Sequence, residues 1–134
     1  MASFSLKIVT CDGLIFDGQA EKLIVRTTAG DMAVMARHIN CVASLGMGRA
    51  VVVSDGERRT AACIGGMLQV LNGEVTLVPT TFEWAEDIDA KRAEASADRA
   101  KATLSNKEAS DADLRLAQAR LKRALVRSAV AKPM

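Results

Sequence analysis

Glycine divides this chain in two. All nine glycines fall between Gly13 and Gly73, and none occurs from there to residue 134. Alanine and charged residues take over after about Trp84. Glycine punctuates tight turns and weakens a helix interior by about 1 kcal/mol relative to alanine, so the two halves obey opposite folding rules. The expected organisation is a β domain over residues 1–84 and a helical domain over 85–134.

The first half alternates. FSLKIVT (4–10) sets Phe4, Leu6 and Ile8 on one face and Ser5, Lys7 and Val9 on the other. AEKLIVRT (20–27), GRAVVV (48–53), GGMLQVL (65–71) and EVTLVP (74–79) are further short segments of strand type. Asp55-Gly56 and Asn72-Gly73 lie between such segments, and both dipeptides accept the positive φ angles of a two-residue hairpin. Asp12-Gly13 is a weaker third signal. Eight to ten short strands at this spacing, with no helix between them, predict an antiparallel sandwich or flattened barrel.

The second half predicts two helices, one from Ile88 to about Leu104 with Asp87 as N-cap, the other from Leu114 to about Ala131 and stopped by Pro133. SNKEASDAD (105–113) separates them as a short loop. Ala93, Ala97, Ala100 and Leu104 form one stripe, and Leu114, Ala117, Leu121, Ala124 and Ser128 form another. Two narrow stripes of small residues suit an antiparallel hairpin. The fold class is α+β, mainly β. Alanines bury little area, and at ~25 cal/mol per Å² such a seam yields only a few kcal/mol. The sandwich is expected to stand alone, and the hairpin to be marginal, able to detach, extend or redock.

Several functions are excluded by composition. Aromatics are 3% of residues, with no Tyr and one Trp, which disfavours base or sugar stacking. A net charge of +2 is too small for general nucleic-acid binding. The three cysteines, Cys11, Cys41 and Cys63, have no CxxC spacing and read as reduced strand or core residues. A single histidine, His38 in MARHIN, leaves no basis for a metal centre or triad and reads as a loop residue bonded to backbone. No GxSxG, HExxH or GxxxxGK occurs, so no catalytic or metal-ligating residue is assigned and the chain is not expected to be an enzyme. No apolar run approaches ~18–20 residues, and the N-terminus lacks a signal-peptide pattern.

Charge on the helices is more informative. IDAKRA places Asp89 and Arg92 three apart, with Arg99 seven beyond Arg92. Arg120, Arg123 and Arg127 repeat on the second helix, and no acidic residue follows Asp113. This is a solvated basic face, or a site. In an antiparallel hairpin Arg123 and Arg127 approach the start of the first helix, and gathered guanidiniums repel unless an anion neutralises them. Either a nucleotide polyphosphate or an acidic helix of another protein fits.

Taken in order, LKIVTCDGLIFDGQAEKLIVRTTAGDMAV, the His38 loop, GGMLQV, NGEVTLV and AEDIDAKRA resemble the epsilon-subunit family of rotary proton-translocating ATP synthases, called delta in mitochondria. The resemblance covers essentially the whole chain. It implies a ten-stranded sandwich that binds the gamma subunit of the central stalk and rests on the c-ring, at the cytoplasmic face of the bacterial membrane rather than at a plastid or other energy-transducing membrane, peripheral and not inserted. It implies a hairpin that folds against the sandwich or extends along gamma, where it meets the beta (and alpha) subunits and inhibits ATP hydrolysis. No prosthetic group is implied. ATP is implied as a regulatory ligand of the folded hairpin in some bacterial members, through a motif written [IL]DxxRA that Ile88, Asp89, Arg92 and Ala93 match, with Glu83 before it and Arg99, Arg123 and Arg127 as supporting positions. The alternative is a passive stalk adaptor that neither switches nor binds nucleotide. The His38 loop departs from the family, which carries a sequence close to LPGHAP where this chain has MARHIN.

Overall fold

Strand pairing follows the apolar alternation. The structure is a computed structural model that describes residues 2–132. Two compact units result, Met1–Trp84 and Ala85–Met134. The first holds β1 (Phe4–Thr10), β2 (Gly13–Ala20), β3 (Lys22–Thr27), β4 (Gly30–Val34), β5 (Cys41–Ser44), β6 (Met47–Ser54), β7 (Glu57–Leu71) and β8 (Glu74–Trp84). The second holds a single 3-10 turn (Ala85–Asp87), α1 (Ala90–Leu104) and α2 (Asp111–Ala131). The architecture is α+β and mainly β, a sandwich followed by two helices.

The strand order is β2-β1-β8-β7-β6-β3-β4, with β5 also on β7. Every pairing is antiparallel except β1 with β8. β7 is the spine. Its first half pairs with β6, and its second half pairs with β5 on the same edge. β8 follows β7 along its whole length, and only Glu74–Leu77 of β8 meet β1. β7 and β8 therefore pass from one layer into the other. Eight strands form, within the eight to ten that the sequence pattern suggests and fewer than the ten that the resemblance implies, because β7 and β8 each run on as one long strand.

The passage between layers is made by glycine. Gly65 and Gly66 take consecutive positive φ values, +68° and +107°, which break the pleat. The ribbon stays bonded there: Leu45 N–H donates to the Gly66 carbonyl (2.9 Å) and Gly65 N–H to the Gly46 carbonyl (3.0 Å). Pro79, which has no N–H, pairs opposite Gly66. A Cβ on Gly66 would overlap the Val78 carbonyl oxygen and lie 2.6 Å from Pro79 Cα. The hairpin dipeptides behave as their chemistry requires, with φ of 52° and 76° at Asp55-Gly56 and 51° and 81° at Asn72-Gly73.

Between the layers lies one apolar cluster in which Leu6, Ile8, Leu23, Val25, Leu68 and Leu77 are fully buried. Phe4, Leu6 and Ile8 face it, as the alternation predicts. Trp84 closes one end, edge-on to Phe82 (centroids 5.0 Å apart) and under the Arg59 guanidinium at 3.7 Å.

Candidate functional site

The second unit is built on caps and alanine. The expected N-cap, Asp87, instead sits in the 3-10 turn, which the Ile88 N–H closes on the Ala85 carbonyl (3.3 Å). The chain then extends at Asp89 (φ −82°, ψ 98°), whose carboxylate accepts from the Arg92 N–H at 3.1 Å. Asp89 is the cap, and α1 starts two residues later than expected, at Ala90. Asn106 Oδ1 accepts from the Glu108 N–H (3.0 Å) in the connecting loop. Ser110 Oγ then caps α2 by accepting from the Asp113 N–H (3.1 Å), so α2 begins at Asp111, a turn earlier than Leu114. Asp111 and Asp113 complement the dipole of that first turn. α2 ends at Ala131, with Lys132 extended as a residue before proline prefers. The expected stop, Pro133, lies outside the described residues.

The buried residues of the hairpin are Ala93, Ala97 and Ala100 on α1 and Ala117, Ala124 and Val130 on α2. Leu104, Leu114, Leu121 and Ser128 are only half-buried. Each buried methyl contributes about 0.8 kcal/mol, against about 1.5–3 kcal/mol for each buried Leu, Ile or Val of the sandwich. The seam is as thin as the sequence suggests.

Counting back from the loop at equal rise places Arg123 level with Arg92, Arg127 level with Ile88, and Arg99 level with Leu116. The last turns of α2 reach the 3-10 turn. The expected cluster is therefore divided. Ile88, Asp89, Arg92, Arg123 and Arg127 gather at the open end of the hairpin. Arg99 lies nearer the loop, where Ser96, Arg99 and Thr103 of α1 and Asp113, Leu116 and Arg120 of α2 line a groove of about 480 Å³. Ala100 and Ala117 complete its lining. Arg92 and Arg99 are exposed, and Ile88, Arg123 and Arg127 are half-buried. Ala93 belongs to the seam. Glu83 lies in the other unit, on β8 opposite Ala62. Two of the four motif positions thus have folding roles of their own, Asp89 as cap and Ala93 as seam.

In the sandwich unit His38 Nδ1 stands 2.9 Å from the Ile39 carbonyl, so the proton resides on Nδ1, because a carbonyl only accepts. Cys41 Sγ is 4.0 Å from the same nitrogen. Burial pushes the Cys63 thiol up to about 12. Among the described residues no group of three or more His, Cys, Asp or Glu side chains could hold a metal. The outward face of β5, β7 and β8 is unexpectedly apolar: Val42, Met67, Leu71 and Val78 are all exposed, with Met67 paired to Val78. Its sequence signal is MLQVL, in which apolar residues occupy both faces where a half-solvated strand would alternate.

Two family models cover the chain. The β-sandwich domain of the ATP synthase delta/epsilon chain matches residues 3–85, and the long α-helix domain of the same chain matches residues 86–132. An ATP synthase epsilon chain from Bacillus velezensis is 39% identical over 131 residues, covering 98% of each chain. One from Ruminococcus albus is 38% identical over 132 residues, again covering 98% of each. In fold, the chain is similar to a component of the Euglena gracilis mitochondrial ATP synthase, OSCP/F1/c-ring assembly (TM-score 0.87, 21% identity, 98% of this chain and 83% of that one). It also matches a component of the Tetrahymena thermophila mitochondrial ATP synthase central stalk/c-ring (TM-score 0.63, 12% identity, 96% of each). The class is a β-sandwich followed by a long helical domain. The chain belongs to the ATP synthase delta/epsilon family.

Proposed function

We propose that this chain is a non-catalytic rotor subunit whose sandwich joins gamma to the c-ring and whose hairpin is a latch on ATP hydrolysis. The contrast in burial carries this reading. The sandwich is held by fully buried leucines, isoleucine and valines, and the hairpin almost entirely by alanines. A helix pair held so thinly exchanges one partner for another at small cost. Family membership supplies the partners: gamma and the c-ring for the sandwich, and the beta and alpha subunits for an extended, basic α2. The exposed apolar face of Val42, Met67, Leu71 and Val78 supports docking of the sandwich on gamma. No described helix is long and apolar enough to cross a membrane. The peripheral place proposed at the cytoplasmic face of a bacterial membrane rests on family membership.

ATP is the ligand proposed to set the latch, held at the open end of the hairpin by Arg92, Arg123 and Arg127 beside Ile88 and Asp89, with Arg99 nearer the loop. A ligand that binds only the folded hairpin stabilises it by RT ln(1 + [L]/Kd), which is ~1.4–2.7 kcal/mol at ten- to a hundredfold excess over Kd. That magnitude matches the margin of an alanine seam. The test is deletion of residues 85–134 in the assembled complex. A latch raises the rate of ATP hydrolysis when removed; an unchanged rate leaves only a passive adaptor.

A further inference from the structure

We propose that His38 and Cys41, at the passage from β4 into β5, form a two-ligand site for a soft monovalent cation of the Cu(I) class. Cys41 Sγ and His38 Nδ1 stand 4.0 Å apart. Thiolate is a soft donor that selects Cu(I) or zinc, and imidazole suits both metals, so the donor set leaves copper and zinc as candidates. Geometry separates them. With bonds of about 2.3 Å to sulfur and about 2.0 Å to nitrogen, a cation between atoms 4.0 Å apart is met at an angle of about 135–140°. Tetrahedral zinc asks for about 109°, which at those bond lengths brings the two donors to about 3.5 Å. Structural zinc also takes four protein ligands, and among the described residues no group of three or more His, Cys, Asp or Glu side chains could hold a metal. A wide angle and few ligands suit a closed-shell monovalent cation. The chain has a single histidine, so neither exposed Cys11 nor buried Cys63 can form this pair.

The loop is built to keep the pair together. Cys41 opens β5 opposite Val70 and packs against the sandwich core, which fixes the thiol on one side. His38 N–H donates to the Met35 carbonyl (3.2 Å), and Arg37 between them takes a φ of 69°, left-handed for a residue that is not glycine. Such a backbone persists only where its surroundings hold it. Asn40 Oδ1 accepts from the Asn72 N–H (2.8 Å), tying the loop to the turn between β7 and β8. His38 and Cys41 are both half-buried, so an ion can reach them. Without the cation the proton on Nδ1 bonds the Ile39 carbonyl at 2.9 Å. Binding releases the Cys41 thiol proton to solvent and moves the imidazole proton from Nδ1 to Nε2, which frees the Nδ1 lone pair for the cation. The thiolate cancels the charge of the cation, and no electron is transferred.

The experiment titrates the full chain, carrying Cys11→Ser to remove the exposed thiol, with Cu(I) under anaerobic conditions against a competing chelator. Ag(I), of the same charge and closed shell, serves as a second probe for nitrogen NMR of the His38 ring. One equivalent of either ion is expected to bind and to move the ring proton to Nε2. His38→Gln and Cys41→Ser are each expected to weaken Cu(I) by about a hundredfold or more, since even outer partners of a metal ligand are worth about 10–100-fold in affinity. The urea midpoint of each variant without metal is the control for folding. A His38→Gln chain that binds Cu(I) as tightly as its parent overturns the pair, because the thiol then acts alone. His38 ring signals that stay unmoved at one equivalent of Ag(I) overturn it without recourse to either ligand variant. Zn(II) bound as tightly as Cu(I) overturns the choice of a soft monovalent cation.

Discussion

Replacing Asp89 by alanine tests whether the shared motif is first of all a helix start. Its carboxylate accepts the Arg92 N–H at 3.1 Å, with Asp89 in the extended conformation of an N-cap. Loss of such a cap costs about 1 kcal/mol. At 1.36 kcal/mol per factor of ten, that is roughly a fivefold fall in the protection of α1 amides against hydrogen exchange. In a unit whose seam is alanine, this is a large share of the margin. Asparagine caps about as well as aspartate, so Asp89→Asn keeps the bond and loses only the charge-dipole contribution, which salt screens. Native-state exchange in moderate salt should therefore show α1 amides exposed by Asp89→Ala and nearly unchanged by Asp89→Asn, with sandwich amides as an internal reference. Equal losses in the two variants would mean that the carboxylate acts by charge and that the cap argument is wrong. The same pair separates two effects on ATP. If Asp89 acts only by folding the hairpin, Asp89→Asn keeps the affinity; if its charge meets the ligand, Asp89→Asn changes it.

Three further outcomes follow from the geometry. Gly66→Ala places a Cβ on the Val78 carbonyl oxygen at a φ of +107°, and should cost about 2–4 kcal/mol of sandwich stability, read as a lower urea midpoint. Arg92→Ala removes an exposed side chain and leaves the backbone N–H that bonds Asp89 in place; it should weaken ATP by ~1.5–3 kcal/mol with helical content unchanged, and an unaltered affinity in calorimetry refutes its role. Cys63 has its thiol raised from 9.0 to about 12 by burial, so its neutral form is favoured in the fold; that stability is complete below pH 9 and is lost as pH rises from 9 toward 12. A Cys63→Ala chain should lack this alkaline decline when the two are compared by denaturant titration, and maleimide should label exposed Cys11 well before Cys63.

What was legible in the sequence is what local chemistry decides. Asn72-Gly73 and Asp55-Gly56 specify their turns because few other dipeptides accept two positive φ angles. Phe4, Leu6 and Ile8 specify a buried face by alternation. The two alanine stripes specify a hairpin because small residues at spacings of three and four let two helices pack closely. The start of α1 was misplaced for a physical reason: AEDID offers two aspartates two residues apart, and only the 3-10 turn closed on Ala85 decides that Asp89 and not Asp87 faces the free N–H groups. Strand count was ambiguous for a similar reason, since Gly65-Gly66 reads as an end in sequence and is a bend within β7 in space.

The site is harder to read from sequence because a stripe of arginines fixes a helix face but not a level along the partner helix. Arg99, Arg120, Arg123 and Arg127 look alike along the sequence. Once the loop fixes the level of one helix against the other, Arg99 shares a groove with Arg120, and Arg123 stands level with Arg92. The outward apolar face of Met67 and Val78 was missed by the same logic of isolation. A strand apolar on both faces reads as deeply buried within its own chain, whereas here one face is covered by the sandwich and the other is exposed. The proposed latch needs this division: an apolar surface for the part that is to stay bound, and a hairpin held by buried methyl groups for the part that is to move, so that on this proposal a change in ligand or partner worth only a few kcal/mol is enough to release it.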